Sequence, residues 1–274
     1  MDYLKRYKKM IALRALTNHT MKSYCTYITA YLDFIQNPLH KYPSQVRYSD
    51  ILRFLDVLQS ERGLSDRTIN AAIAQIRFFT LYVLHRPWDS TQVPMRKFDT
   101  YLPFVPSQND VRVFISTLSD LKVKAMVALM YSSGLRISEV CHLRYEDIQR
   151  KNMRIHISHS KSRCDSFAIL SKEALDILTE YWFACGRPTG WLFPKQRDSS
   201  RPIDTFFLAR HIKAHEDELG WPNRLTCHSF RHAFGTHLYE NGSDLMDKQI
   251  PFLRCIPDKQ RDRTSPYSIF RGGS

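Results

Sequence analysis

The sequence LTCHSFRHAFGTHLYENGSD, residues 225–244, decides how the rest of the chain is interpreted. Three apolar residues recur in it at four-residue spacing: Phe230, Phe234 and Leu238. This spacing predicts a helix over residues 229–241 that begins at Ser229. His228 and Arg231 are three residues apart, so both side chains can extend from the first turn toward one point. A helix N-terminus also offers unpaired N–H groups and a positive dipole end, so the stretch predicts a site for an anion such as phosphate.

The histidines of this stretch have other possible roles. His228 and His232 have the i, i+4 spacing of a zinc-protease helix, but Ser229 stands where such helices carry the glutamate base. Cys227 is adjacent, yet no second Cys or His pair completes a structural zinc site at a recognisable spacing. We therefore predict no metal and no cofactor, and we expect His232 and His237 to be structural helix residues.

A second arginine occupies a similar position in YSSGLRISEV, residues 131–140. Gly134 ends one predicted helix and Arg136 begins the next, so a guanidinium again lies at a helix N-terminus. Two arginines directed at one phosphate would stabilise the charge of a phosphoryl-transfer transition state, whereas a salt bridge would account for either one alone. Glu139 could contact an arginine, but we expect an exposed helix carboxylate. Lys161 lies in a predicted hairpin turn, where it could reach into a groove or simply be solvated.

The composition favours a polyanion as partner. The chain has 274 residues, 40 Lys+Arg against 27 Asp+Glu, a net charge of +13 and a pI near 9.5. Nucleic acid is the first candidate, although a basic protein without such a partner is an alternative on charge alone. No segment resembles a signal peptide or a membrane span, and the six cysteines are widely spaced. We therefore expect a cytoplasmic protein with free thiols and no membrane partner.

The pattern of apolar residues divides the chain into two parts near residue 100. The first part carries helical periodicity in TNHTMKSYCTYITAYLDFIQ, SDILRFLDVLQSERG and LSDRTINAAIAQIRFFTLYVL. Residues 86–108 carry four prolines and no period, which indicates a linker. The second part is again mostly helical, but residues 153–169 alternate apolar and polar around a polar turn, as in a β-hairpin. The predicted fold class is mainly α with a small antiparallel β-sheet.

Four motifs in order resemble a known family. They are the helical segments just quoted, SSGLRISEVCHLRYEDI, MRIHISHSKSRCDSFAIL and HSFRHAFGTHLYENG. From about residue 15 to residue 245, the chain resembles the tyrosine recombinases, the phage-integrase family of site-specific DNA recombinases found on phages and mobile elements. The resemblance implies that residues 1–90 form a helical, SAM-like core-binding domain, that 91–105 are a linker and that 106–245 form an α+β catalytic domain.

The resemblance also implies a chemistry for the residues that match its motifs. In this family a tyrosine attacks a DNA phosphodiester and forms a 3′-phosphotyrosine link. Covalent catalysis conserves the bond energy, so strands are exchanged without metal or ATP. Arg136 and Arg231 would bind the scissile phosphate, Lys161 would protonate the leaving oxygen, and His228 would handle protons or hydrogen-bond the phosphate. The partners implied are double-stranded DNA and three further copies, in a homo-tetramer on two duplexes.

The sequence departs from the family pattern in an atypical tail, residues 246–274. The family has a further helix, a Gly-His pair and then the nucleophilic tyrosine, but no Gly-His pair occurs here. Tyr267 lies 36 residues after Arg231 (267 − 231 = 36), which is roughly the family's spacing, and is the candidate nucleophile. Two hypotheses follow: a recombinase that uses Tyr267, or a DNA-binding remnant or regulator without a nucleophile whose tail arose by truncation or frameshift.

Overall fold

The computed structural model describes residues 2–14, 18–99, 103–158, 165–222 and 224–242. The helices within these residues are α1 (Tyr3–Ala12), α2 (Asn18–Gln36), α3 (Tyr48–Ser60), α4 (Asp66–Tyr82), α5 (Gln108–Thr117), α6 (Leu121–Ser133), α7 (Ile137–Cys141), α8 (Lys172–Ala184), α9 (Thr205–Glu218) and α10 (Cys227–Glu240). The strands are β1 (Ile148–Gln149), β2 (Arg154–Ile157), β3 (Ser166–Ile169), β4 (Pro194–Lys195) and β5 (Asp198–Pro202). The mainly α fold with a small antiparallel sheet is confirmed.

The chain separates into two compact units, Met1–Tyr101 and Leu102–Ser274. The four predicted segments, with their three boundaries between domains, linker and tail, are finer than this division and stay predictions. The first unit is a helical bundle in which α1, α2 and α3 pack on α4. Ser65 caps α4 as expected, since its hydroxyl accepts from the backbone N–H of Thr68.

Helix α1 was not expected from the sequence. It carries four basic residues in ten, and its apolar and aromatic residues lie at three- and four-residue spacing: Tyr3, Leu4, Tyr7, Met10 and Ile11. Tyr7 and Ile11, four residues apart, are nonetheless at most 1% exposed in the core of the first unit. Tyr3, Leu4 and Met10 pack against the same core, so the spacing of the apolar residues carried the usual signal of an amphipathic helix.

The proline-rich segment between α4 and α5 is irregular in its described residues, as its composition predicts. It is nevertheless attached to the first unit, because Asn70 on α4 accepts from the backbone N–H of Arg96 at 2.8 Å and donates to its carbonyl at 2.9 Å. Val93 is buried in the same core. The prolines therefore prevent regular secondary structure here, but the described part of the segment still packs against the helices of the first unit.

Helix α6 is the centre of the second unit. Seven of its apolar residues are buried, and they face α8 on one side and α10 on another. An evenly apolar helix of this kind is typical of one that is surrounded by other elements. Arg136 follows the C-terminal end of α6, where the chain turns into α7, and Arg231 contacts the same turn through the backbone carbonyl of Gly134.

The predicted hairpin is formed by β2 and β3, which pair antiparallel from Arg154↔Ile169 to Ile157↔Ser166. β1 adds a third strand to this sheet, and β4 and β5 form a separate two-stranded sheet. β1 and β4 are only two residues long, too short to produce a detectable alternation. Within the described residues, no helix combines the length and the apolar character needed to span a membrane.

Candidate active site

The site is assembled where α6 ends and α10 begins. Gly134 terminates α6 in the left-handed conformation, with φ of +62°, as the sequence predicts. A Cβ atom at this position would lie 2.5 Å from Cδ1 of Phe234 on α10. Glycine is therefore required here both for the backbone turn and for the close approach of α10.

Arg136 follows this turn and is the N-cap residue of α7. Its backbone N–H donates to Glu139 Oε2 at 2.7 Å, and its Nη1 donates to Glu139 Oε1 at 2.6 Å. The Arg136 side chain is 27% exposed, whereas that of Glu139 is 9% exposed. One carboxylate thus fixes both the main chain and the guanidinium of Arg136, which leaves part of the guanidinium facing solvent.

Arg231 reaches the same carboxylate from α10. Its Nη1 lies 3.7 Å from Glu139 Oε2 and donates to the backbone carbonyl oxygen of Gly134. Arg231 is buried, with a side chain that is 10% exposed. The structure therefore brings together Arg136 and Arg231, which are 95 residues apart in sequence (231 − 136 = 95), around one carboxylate.

Glu139 is the residue that sequence reasoning placed wrongly. An exposed helix carboxylate was expected, but Glu139 is buried and contacts both arginines. A carboxylate at i+3 from an arginine is common on solvated helices, so the spacing alone did not indicate burial. Two guanidiniums and one carboxylate leave one surplus positive charge, which suits a monoanionic phosphodiester.

The start of α10 differs from the prediction by two residues. Thr226, rather than Ser229, is the N-cap: its hydroxyl accepts from the Ser229 N–H at 3.2 Å, and Ser229 Oγ accepts from the Thr226 N–H at 3.1 Å. Both residues have hydroxyls that could cap a helix, and Thr226 is the one with extended backbone. His228 consequently lies in the first turn of α10 itself.

The segment that leads into α10 is held by a buried carboxylate. Glu216 on α9 is 2% exposed, and its Oε1 accepts from the N–H groups of Arg224 and Leu225, both at 3.0 Å. These backbone groups would otherwise be without partners in the interior. Glu216 therefore sets where α10 starts, and the sequence carried no signal of this role.

The three histidines of α10 have different surroundings. His228 is exposed in the first turn, with its ring centroid 6.5 Å from that of His232. His232 is half-buried, and burial, together with the nearby His228 and Arg231, lowers its pKa. His237 is buried and its Nδ1 lies 3.0 Å from the Tyr131 hydroxyl. Of the three, His228 is the most accessible to a ligand at the helix N-terminus.

A cysteine nucleophile is disfavoured at this site. Cys227 adjoins His228, but burial raises the pKa of its thiol to about 11. Burial likewise raises the pKa of Cys141 to about 12. Because the thiolate is the reactive form, neither group is activated at neutral pH.

Two predicted site residues, Lys161 and Tyr267, lie outside the described residues. Their roles therefore stay predictions. Among the residues that are described, no group of three or more His, Cys, Asp or Glu is arranged to hold a metal ion. The described part of the site consists of Arg136, Glu139, His228 and Arg231.

Comparison with known families matches both units. Residues 107–249 match the phage integrase family, and residues 3–90 match the phage integrase N-terminal SAM-like domain. Tyr267 lies beyond the first of these matches. The y4eF protein of Sinorhizobium fredii, named as an integrase/recombinase, is 35% identical over 80% of this chain and 92% of its own. The tyrosine recombinase XerD of Listeria monocytogenes is 28% identical over 88% of this chain and 85% of its own.

Solved structures share the fold at lower identity. The Tn1549 transposon integrase in complex with circular intermediate DNA superposes with a TM-score of 0.70 at 20% identity, covering 92% of this chain and 91% of that one. A lambda integrase tetramer bound to a Holliday junction superposes with a TM-score of 0.71 at 15% identity, covering 96% of this chain and 79% of that one. With its catalytic and SAM-like domains both matched, this chain belongs to the phage integrase family of tyrosine recombinases.

Proposed function

We propose that this protein carries out site-specific DNA recombination by cleaving and rejoining strands through a 3′-phosphotyrosine intermediate. Family membership supports recombination and favours it over a DNA-binding remnant that does not cleave. The observation in the structure that carries the proposal is the convergence of Arg136 and Arg231 on Glu139. Two fixed guanidiniums at one point provide the preorganised charge that a phosphoryl-transfer transition state requires.

Each residue has a defined part in the proposed reaction. The Tyr267 hydroxyl gives its proton to His228 or to solvent and attacks phosphorus, the bond from phosphorus to O5′ breaks, and Lys161 donates a proton to that leaving oxygen. Arg136 and Arg231 neutralise the charge on the non-bridging oxygens, and His228 hydrogen-bonds the phosphate or moves a proton. The reverse reaction, with a 5′-hydroxyl as nucleophile, reseals the strand and frees the tyrosine.

The proposed partners are double-stranded DNA and further copies of the chain. Lambda integrase is described as a dimer on a core site and as a tetramer on a Holliday junction, and two duplexes exchanging strands require four active sites. We therefore propose a homo-tetramer on two duplexes. Action on DNA inside the cell would place the protein in the cytoplasm.

A covalent adduct tests the proposal directly. The full chain is first used to select a duplex from a random-sequence pool, and that duplex is then nicked near the cleavage position so that the short cleaved strand diffuses away. We expect a protein–DNA adduct on a denaturing gel that forms in the presence of a chelator and is lost in Tyr267→Phe. Tyr239→Phe, the same change at a half-exposed tyrosine of α10, should keep it.

Three other outcomes would contradict parts of the proposal. No adduct with the wild-type chain would favour the DNA-binding remnant. An adduct that survives Tyr267→Phe would place the nucleophile at another residue. A requirement for divalent metal, with release of a free phosphate end, would indicate a hydrolase instead.

A further inference from the structure

The base of the β2–β3 hairpin contains a histidine held between two carboxylates. His156 on β2 has Nδ1 3.3 Å from Asp147 Oδ1 and Nε2 3.4 Å from Asp165 Oδ2. The His156 side chain is 29% exposed, and its ring lies against Phe167, its cross-strand partner on β3, at a centroid distance of 5.4 Å. His156 thus contacts two other segments of the chain, the turn that contains Asp147 and the start of β3 with Asp165 and Phe167.

Asp147 provides a fixed end for this arrangement. It is 6% exposed in the turn before β1, and its Oδ2 accepts from the Arg144 N–H at 2.8 Å. Its other oxygen faces His156. Because its position is set by the backbone of its own turn, Asp147 anchors the imidazole to the body of the second unit.

Asp165 provides the other end. It immediately precedes Ser166, the first residue of β3, which pairs with Ile157 at the end of β2. Lys161 lies between these two strand ends, five residues after His156 and four before Asp165 (161 − 156 = 5; 165 − 161 = 4). The His156 bridge therefore joins the point where the chain leaves the sheet to the point where it returns.

The chemistry of the ring suits a bridge. The ring carries one nitrogen on each side, and in its protonated form both donate, so it can serve a carboxylate on each side. Its packing on Phe167 fixes the plane of the ring. The bridge contacts neither the phosphate-binding arginines nor His228, so the mechanism described above does not use it.

We propose that His156 is a positioning residue: by joining Asp147 to Asp165 it fixes the two strand ends that flank Lys161, and so places the proton donor of the cleavage step. This inference rests on the proposed function, in which Lys161 protonates the leaving O5′. It predicts that loss of the bridge impairs protonation of the leaving group rather than phosphate binding or attack by the tyrosine.

A change of leaving atom separates these steps. Cleavage is measured on the selected duplex with either a normal phosphodiester or a 5′-bridging phosphorothiolate at the mapped cleavage position. A thiol is far more acidic than an alcohol, so the sulfur leaves without a proton donor. The variants are His156→Phe, which keeps an aromatic ring against Phe167 but has no donors, Asp165→Asn, and Lys161→Ala as the reference for a missing acid.

The expected pattern is a selective loss. Lys161→Ala should cleave the phosphodiester on the order of 100-fold more slowly or worse and recover on the phosphorothiolate. His156→Phe should cleave the phosphodiester about 10- to 100-fold more slowly than wild type, as expected for a misplaced catalytic group. On the phosphorothiolate its cleavage rate should be within about threefold of the wild-type rate. Asp165→Asn should show the same pattern more weakly, and Asp176→Asn, the same change at an exposed carboxylate of α8, should show neither loss.

Each failure has its own meaning. If Lys161→Ala is not rescued by sulfur, Lys161 is not the acid, and both the proposed function's assignment and this inference are wrong. If Lys161→Ala is rescued, two results for His156→Phe overturn the inference about His156 alone. One is a wild-type cleavage rate on the phosphodiester, and the other is an equal loss of rate on both substrates. An absence of cleavage by the wild-type chain refutes both.

Discussion

Substitution of Gly134 by alanine should disturb the active site more than its small size suggests. An alanine at φ of +62° adopts the left-handed conformation at a cost of about 1–2 kcal/mol. Its Cβ would also lie 2.5 Å from Phe234 Cδ1, about 0.9 Å inside the 3.4 Å at which ordinary contacts begin (3.4 − 2.5 = 0.9). Overpacking of this kind costs about a further 1–3 kcal/mol. The total loss in the free energy of unfolding should be about 2–5 kcal/mol.

The functional loss should follow from the same displacement. Phe234 lies one helical turn after Arg231 on α10, and Arg231 donates to the carbonyl of Gly134 itself. A shift of about 1 Å in a catalytic group can lower a rate on the order of 100-fold. We therefore expect Gly134→Ala to form the covalent DNA adduct about 10- to 100-fold more slowly than wild type.

Gly220→Ala is the matched control for this prediction. Gly220 also has a positive φ, of +67°, and lies in the same unit, but a Cβ there would meet no atom within 4 Å. Urea unfolding followed by tryptophan fluorescence gives both free energies. If Gly134→Ala costs no more than Gly220→Ala, the contact with Phe234 has no energetic consequence and the argument fails. In a double-mutant cycle with Phe234→Ala, part of the loss should be recovered, by about 1–3 kcal/mol.

Four further predictions concern charge. Glu139→Gln should lower the free energy of unfolding by about 2–4 kcal/mol and weaken cleavage, because it leaves two guanidiniums around a neutral amide; urea unfolding and adduct formation measure both. Glu216→Ala should lower the free energy of unfolding, measured in urea, by about 2–4 kcal/mol, since the buried N–H of Leu225 and the partly buried N–H of Arg224 lose their acceptor. The lowered pKa of His232 means that the unfolded chain binds the proton more tightly, so stability should fall as pH drops through the ordinary imidazole value of 6.5, and His232→Gln should flatten this dependence in unfolding curves. DNA affinity should fall steeply with salt in gel shifts, on the order of 1,000-fold or more from 50 to 200 mM for six or more phosphate contacts.

These predictions have simple controls. Glu173→Gln, in the first turn of α8, changes an exposed carboxylate and should alter neither stability nor cleavage by a measurable amount. A Glu139→Gln chain as stable and active as wild type would show that the carboxylate does not hold the arginines. A stability profile for His232→Gln that keeps the wild-type slope would assign the acid dependence to another group. Binding that is insensitive to salt would contradict a phosphate-based interface.

Local sequence patterns were sufficient for the elements whose signal is carried by adjacent residues. Ser65 and Ser171 cap their helices, Gly134 ends α6, and the alternation in residues 153–169 produces the β2–β3 pair. The sequence predicted that α10 begins at Ser229, whereas the helix begins at Cys227 with Thr226 as its N-cap in extended backbone. The basic helix α1 was not predicted, although its apolar residues lie at helical spacing and form the face that packs on α2 and α4.

The candidate site divides in the same way. Motif spacing by itself identified Arg136, His228 and Arg231, because Arg136 and His228 lie at helix starts and Arg231 follows His228 by three residues, nearly one helical turn. The roles of Glu139, Glu216 and His156 depend on partners contributed by other elements, and no spacing in one dimension records such contacts. Residue types and local periods therefore determined the fold class, most of the helices and the candidate anion-binding side chains, and the resemblance of four motifs in order indicated the family. Only the packing of α7 and α9 against α10, and of β2 against the turn before β1, decided which carboxylates are buried and which cations they hold, because burial and pairing are properties of residues that meet in space.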